Sequence, residues 1–135
     1  MAFRFSQDDV ARTQVVEETN WLYCRITNYE EKASKKADRK GISNHVITMK
    51  VEDPASKYNG LVLIANFPED YPGLAFPFLK AMGAEINRGG GEIDFNDYKG
   101  DYVQVCVSPG TYNDKPSNNI VDYRPKDWTP DFKVS

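Results

Sequence analysis

The sequence predicts an all-β domain, and three observations lead to that class. Apolar and polar residues alternate in the stretches that begin at Trp21, His45 and Tyr102, and period two is the spacing of a strand with one buried face. An apolar run over residues 60–67 is bounded by turn formers and is too short for a typical helix, so it predicts a further strand. Helical spacing of apolar residues is convincing only over residues 75–83, which leaves helices a minor role.

Length and composition predict one domain. The 135 residues, 40% of them hydrophobic and 27% charged, supply one core, which we place in residues 1–124, followed by an extended tail over residues 125–135. The chain starts without an apolar leader and has no apolar run long enough for a bilayer, so we expect a cytoplasmic protein that does not bind a membrane. Cys24 and Cys106 lie in separate strand-like runs, without metal-ligand spacing, and are interpreted as buried thiols.

The first strand is predicted to carry aromatic residues on one face. Period two turns Leu22, Cys24 and Ile26 inward and leaves an outer face with Trp21, Tyr23, Arg25, Thr27 and Tyr29. Residues 32–41 follow as a solvated basic loop, and the second strand then turns one face inward, with His45, Ile47, Met49 and Val51. Residues 30–40 contain five basic and three acidic residues, so this segment carries +2 in a chain of net charge −3. Positive charge is therefore expected to be local, as a binding groove requires.

The middle of the chain predicts a third strand and the short helix. Residues 60–67 are continuously apolar, so this strand is expected to be buried on both sides. In the following helix, Pro77 suits the first turn and Gly83 suits the end. Before the first strand, residues 3–9 are expected to form one helical turn with Ser6 as its N-cap, or an edge strand.

The last part of the chain completes a five-stranded order. Residues 84–100 predict a polar loop, with room for one hairpin, and residues 102–107 a fourth strand with three valines inward. A loop over residues 108–118 and a fifth strand over residues 119–124 follow. Three strands, a short helix and two strands form the element order of the five-stranded OB-fold barrel, with its helix between strands 3 and 4. In that fold the loops after strands one and four flank the binding face.

The layout of these segments has a counterpart among known proteins. Phe-x-Phe-Ser at residues 3–6 precedes a Trp-x-Tyr strand, Ser-Lys-Lys to Lys-Gly at residues 34–41 leads into the second strand, and Gly-Leu-Val precedes the helix that ends in Met82-Gly83. From Phe3 to Arg124, the last strand beginning with Asn119-Ile120, this layout resembles that of small phage-encoded single-stranded-DNA-binding proteins of OB-fold type. The resemblance implies protection of single-stranded DNA during phage replication or recombination in the host cytoplasm. Such proteins often end in an acidic tail with a terminal phenylalanine, and residues 125–135 have no acidic run.

Stacking rings beside a cationic loop suit single-stranded nucleic acid, because every base offers a π face and every nucleotide a phosphate. The expected contacts are Trp21, Tyr23, Arg25, Lys32, Lys35, Lys36, Arg39, Lys40, Lys50, Tyr102, Tyr112 and Lys115. A competing interpretation packs the rings under the N-terminal segment or the tail and leaves the basic loop solvated without a function. The tail rings Trp128 and Phe132 are expected to cap the barrel or to meet a partner chain, which leaves a homo-oligomer through the tail open.

Enzyme chemistry has little material in this sequence. His45 is the only histidine, so zinc sites built on paired histidines are excluded and the usual catalytic triads have only this one strand-borne ring to draw on. A structural histidine is the favoured interpretation. The Gly89-Gly90-Gly91 run is not followed by the lysine of a P-loop. The acidic residues around Asp94 are out of register for an EF-hand, which favours a solvated loop and leaves open only weak binding of a divalent ion. We therefore expect a non-enzymatic binder without cofactor or metal. The alternative is a protein-binding β-barrel, such as a phage factor that binds a host protein through the same aromatic residues.

Overall fold

The computed structural model describes residues 2–33 and 41–130. Within these residues the helices are α1 (Gln7–Arg12) and α2 (Phe76–Ala81), with 3₁₀ turns at Pro72–Ala75 and Phe95–Tyr98. The strands are β1 (Asn20–Ala33), β2 (Ser43–Val51), β3 (Val62–Pro68), β4 (Tyr102–Tyr112) and β5 (Lys115–Pro125).

The described strands form one antiparallel sheet in the order β3-β2-β1-β4-β5. The central strand β1 has two partners along its length: residues 20–25 pair with β4, and residues 24–33 pair with β2. In the described part of the chain, β3 and β5 are edges that do not pair with each other, so the sheet is not closed into a barrel. The predicted β-rich class with five strands and a short helix before β4 is confirmed, whereas the OB-fold barrel is not.

The core lies between the inner face of the sheet and α2. β1 contributes Leu22, Cys24 and Ile26, as the alternation predicted, and the three valines of β4 are fully buried beside them. The ring of Phe78 in α2 is 0% exposed and lies between the two edge strands, 5.6 Å from the ring of Phe67 in β3 and 5.3 Å from that of Tyr123 in β5. The Phe78 ring therefore packs against both β3 and β5, the edge strands that do not pair with each other.

Both helices follow their local sequence signals. α2 begins one residue before Pro77. Proline lacks an N–H, but no hydrogen bond is lost, because N–H groups in the first turn of a helix have no partner within it. The predicted short helix is confirmed. In α1, the helical alternative for the N-terminal segment, the Asp9 N–H donates to the Ser6 side chain and the Asp9 carboxylate accepts from the Ser6 N–H. These bonds lower the pKa of Asp9. Gly60 lets α1 approach, because a Cβ there would lie 2.9 Å from the Cβ of Ala11.

The predicted outer face of the first strand is wrong beyond Thr27. The pairing of β1 with β2 shifts by one residue between Ile26 and Asn28, which is a β-bulge. Because the extra residue reverses the alternation, Tyr29 points to the same side as Ile26 and packs against the core. At this point the Thr27 hydroxyl donates a hydrogen bond to the carbonyl of Thr48, which ties the bulged residue to β2.

Two further expectations about strands are wrong. The third strand was predicted to be buried on both sides, but β3 is an edge strand whose outward Ile64 is 63% exposed. The predicted loop over residues 108–118 instead forms the ends of β4 and β5, joined at Asn113 and Asp114. Both residues have positive φ (52° and 64°), as a two-residue hairpin turn requires, and Asn and Asp tolerate that conformation. Residues 84–100 form the predicted loop, with a 3₁₀ turn rather than a hairpin.

We predict that Ile26→Ala lowers the free energy of unfolding by roughly 2–4 kcal/mol, because the side chain is 1% exposed and its loss leaves a cavity. Ile64→Ala is the matched control: the same change at a position 63% exposed should cost less than about 1 kcal/mol. Urea unfolding of both variants measures the difference. Equal losses would contradict the assignment of the two faces.

Candidate nucleic-acid interface

The side of the sheet away from α2, here called the outer face, brings together most of the predicted stacking residues. The register of β1 on β4 sets Trp21 opposite Cys106, Tyr23 opposite Gln104 and Arg25 opposite Tyr102. On the next strand, β5, Arg124 lies opposite Gln104. Apart from the buried Cys106, these side chains are half-buried, and all of them lie outside the core cluster, as the period-two pattern predicted for Trp21, Tyr23 and Arg25.

Arg124 lies between two tryptophan rings, an arrangement we call the arginine sandwich. Its guanidinium carbon is 4.0 Å from the centre of the Trp21 ring and 3.6 Å from that of Trp128. Gln104 holds the assembly, because its side-chain oxygen accepts from Arg124 Nε at 2.7 Å and its amide donates to the carbonyl of Trp128 at 3.0 Å. Burial between the rings lowers the pKa of Arg124, yet an arginine stays charged in proteins at neutral pH. The face therefore holds a flat cation between aromatic rings.

The second ring pair lies next along β1. Tyr23 and Tyr102 stack with ring centres 5.2 Å apart and planes inclined by 18°. The Tyr102 hydroxyl donates to one Glu52 oxygen at 3.2 Å, and Arg25 Nε donates to the other at 2.5 Å. The hydrogen bond from Arg25 lowers the pKa of Glu52, and the same bond raises the pKa of Arg25. Arg25 is thus already paired, which leaves Lys50, directly across from it in β2 and exposed, as the freer cation.

The basic segment begins where β1 ends. Lys32, predicted in the loop, is part of β1, opposite Asn44, with its Nζ 3.2 Å from a Glu30 oxygen. Lys35, Lys36, Arg39 and Lys40 lie outside the described residues. Ala33 and Ser43, on either side of these residues, are paired in the ladder of β1 and β2.

Tyr112 and Lys115 lie at the other end of the sheet. They pair with each other beside the Asn113-Asp114 turn, and the Tyr112 side chain is 73% exposed. Because β4 runs antiparallel to β1, this turn extends past the first residue of β1, whereas the basic segment follows its last residue. Tyr112 and Lys115 thus lie at the end of the sheet opposite to Ala33, and the expectation that two loops flank one binding face falls partly on residues 34–40, outside the described part of the chain.

Three members of the outer face were not among the predicted contacts: Gln104, Arg124 and Trp128. The alternation of residues 102–107 already placed Gln104 beside Tyr102, which was a usable signal. The position of Arg124 over Trp21 depends on the pairing of β5 with β4, and no local pattern encodes that pairing. Trp128 was expected to cap the barrel or to meet a partner chain, and its ring lies against Arg124.

The two cysteines are buried free thiols, as predicted. Cys24 faces the core, where burial raises the pKa of its thiol to about 12. Cys106 lies on the opposite side of the sheet, across from Trp21, and burial raises its pKa too. Their positions on opposite faces exclude a disulfide between them within one chain.

His45 contacts partners through both ring nitrogens at the inner side of the sheet. Nδ1 lies 2.5 Å from the Tyr29 hydroxyl, and Nε2 lies 2.6 Å from a Glu69 oxygen. The ring also stacks on Tyr29, with planes inclined by 9°. Both ring nitrogens of His45 therefore have partners within the chain.

Comparisons with known proteins do not assign a family. The chain matches no protein-family model and no curated protein sequence. Neither helix of the described chain has the length and apolar character that a bilayer-spanning helix needs.

We predict that Glu52 makes stability depend on pH in the acid range. Its pKa is lowered from 4.5 in the folded protein, so its bonds to Arg25 and Tyr102 contribute at neutral pH and are lost as the pH falls through the folded pKa. Glu52→Gln should lower the Tm at neutral pH, and the difference from the wild type should shrink as the pH falls below 4.5. Thermal melts across this range measure it. Exposed Glu18→Gln is the control, and a gap of constant size would contradict the linkage.

Proposed function

We propose that this protein is a non-enzymatic binder of single-stranded DNA that uses its outer face to protect the strand during phage DNA replication or recombination. The observation that carries the proposal is the row of flat groups along β1: the arginine sandwich followed by the stacked pair of Tyr23 and Tyr102. Sequence-tolerant binding of single strands depends on such stacking surfaces next to positive charge.

Stacking supplies the first part of the binding energy. Aromatic side chains that stack on bases contribute roughly 1–3 kcal/mol per base on removal. The guanidinium of Arg124 is planar, and its place between Trp21 and Trp128 supports a face that accepts flat groups between rings. Bases within a duplex keep their faces covered, so single strands are the favoured form.

Positive charge supplies the second part. Lys50 is exposed on the outer face beside the paired Arg25, and Lys32 stands near the end of β1. The sequence adds Lys35, Lys36, Arg39 and Lys40 immediately afterwards. A DNA strand that runs along β1 from Trp21 toward residue 33 first meets the aromatic rings of the outer face and then the lysines near the end of β1.

We also infer that the fold is an open variant of the OB-fold. The element order, with its helix between the third and fourth strands, agrees with that fold. The edge strands β3 and β5 approach each other through the rings of Phe67 and Tyr123, whose centres are 6.4 Å apart. The Phe78 ring fills the space in which a closed barrel pairs its strands.

A protein-binding function is the second candidate, and the N-terminal arm favours it. Phe3 and Phe5 are 90% and 68% exposed, and exposed aromatic residues are common anchors of protein interfaces. Under this alternative the protein has no affinity for oligonucleotides even at low salt. One titration with oligo(dT) therefore separates the two candidates.

We predict that Trp21→Ala and Tyr23→Ala each weaken binding of labelled oligo(dT) by roughly 1–3 kcal/mol. Both rings lie outside the core cluster, so thermal melts should change little compared with Ile26→Ala. Tyr71→Ala is the matched control, since this exposed tyrosine precedes the 3₁₀ turn at Pro72–Ala75. Anisotropy titrations of these variants against oligo(dT) and a hairpin duplex make the test. Equal affinity of the wild type for both nucleic acids would sink the stacking model.

We predict that the affinity falls steeply with salt, with a log–log slope of about −0.7 for each phosphate contact on a single strand. Replacement of Lys35, Lys36, Arg39 and Lys40 by alanine should make the slope shallower by up to that amount per contact. Lys80→Ala with Lys99→Ala, at exposed sites in α2 and after the 3₁₀ turn at Phe95–Tyr98, removes two positive charges elsewhere and is the control for a double variant, Lys35→Ala with Lys36→Ala. An unchanged slope in the quadruple variant excludes the basic segment as the phosphate contact.

A further inference from the structure

Three side chains from neighbouring strands converge at one end of the inner side of the sheet. Glu31 in β1 lies directly opposite His45 in β2, and Glu69 follows the last residue of β3. Each offers one ligand atom, and these three atoms all lie within 4.8 Å of one another. The group lies on the opposite side of the sheet from the outer face. Its chemistry also differs, because it combines one imidazole with two carboxylates.

The imidazole of His45 is held in place before any ligand arrives. The Tyr29 hydroxyl meets Nδ1, and the ring lies against the rings of Tyr29 and Phe95 with centres 5.7 and 5.4 Å away. Its side chain is 15% exposed. This frame directs Nε2 toward the carboxylates, and it depends on the bulge at Thr27, which turns Tyr29 to this side.

The backbone positions the carboxylates. The N–H of Glu69 donates to the carbonyl of Ser43 at 2.9 Å, which ties the end of β3 to the start of β2. Glu31 is set by its pairing in the β1–β2 ladder. Both side chains remain exposed, so a small ion has access from solvent.

We propose that Glu31, His45 and Glu69 bind a divalent first-row transition metal, with Zn²⁺ as the best fit. Imidazole and carboxylate are zinc ligands, and at metal distances of about 2.0–2.1 Å the ligand atoms of a tetrahedral site lie roughly 3.4 Å apart. The 2.6 Å contact between Nε2 and Glu69 opens by less than about 1 Å to reach that separation. Mg²⁺ and Ca²⁺ prefer oxygen ligands throughout, so the imidazole selects against them.

The hydrogen bond at Nδ1 fits this role. When Nε2 donates its lone pair to the metal, Nδ1 carries the proton and donates it to the Tyr29 oxygen, an arrangement that orients metal-bound histidines. The two carboxylates neutralise the charge of the ion. Three protein ligands leave a fourth position for water or another oxygen ligand. The metal then links β1, β2 and β3 beside the residues that lead into the basic segment.

Calorimetric titration of the untagged full chain with ZnCl₂ tests this proposal. The wild type should bind one ion per chain, and Glu31→Gln and Glu69→Gln should each weaken binding about tenfold or more. Glu30→Gln is the matched control: it removes a neighbouring exposed carboxylate of β1 that is outside the cluster, and it should bind as the wild type does. Tyr29→Phe should keep the stoichiometry and lose roughly tenfold in affinity.

Two further measurements make the result independent of folding effects. Zn²⁺ should raise the Tm of the wild type and of Glu30→Gln but not that of Glu31→Gln, and Co²⁺ should give the visible absorption of a nitrogen and oxygen site. Both substituted glutamates are exposed, so their variants fold. The absence of saturable binding in the wild type overturns the proposal. Equal losses in Glu30→Gln and Glu31→Gln also overturn it, because they indicate attraction to surface charge alone.

Discussion

The structure depends on the double pairing of β1. Its first part forms a ladder with β4 and its second part a ladder with β2. This one strand therefore joins the β2–β3 pair to the β4–β5 pair. The bulge at Thr27 lies just after the change of partner and reverses the direction of the side chains that follow. A continuous alternation would leave Tyr29 on the outer face, and His45 would lose its contacts with the Tyr29 ring and hydroxyl. One extra residue therefore creates two chemically different surfaces on a single strand.

These surfaces place opposite demands on packing. On the inner side, apolar residues and the Phe78 ring exclude water, and the polar groups are confined to the end of the sheet. On the outer face, rings pack against charged groups instead: Trp21 on Arg124, and Tyr102 beside the Arg25–Glu52 pair. Such contacts keep aromatic side chains ordered while part of each ring stays accessible. Order without full burial is the property that a binding surface needs.

Local periodicity predicted the parts of the fold that depend on local physics. The inward set of β1 up to Ile26, the valines of β4 and the short helix around Phe78 follow from alternation and from Pro77 and Gly83. Local periodicity could not predict the features that depend on which strands pair. Ile64 is exposed because β3 is an edge, and Arg124 reaches Trp21 because β5 pairs with β4. At residues 113–114 the sequence did hold a turn signal, since Asn and Asp both accept positive φ. Pro109 and Gly110 are also turn formers, and they led to the prediction of a loop that begins earlier.

The arginine sandwich also determines what light reports about this protein. The sequence holds two tryptophans, and both indole rings lie within about 4 Å of the same guanidinium carbon. Tryptophan emission therefore arises entirely at the outer face, whereas tyrosines such as Tyr58 also lie in the core. Any molecule that moves Arg124 or takes its place changes the surroundings of both fluorophores at once. The unlabelled protein thus carries its own optical probe of that surface.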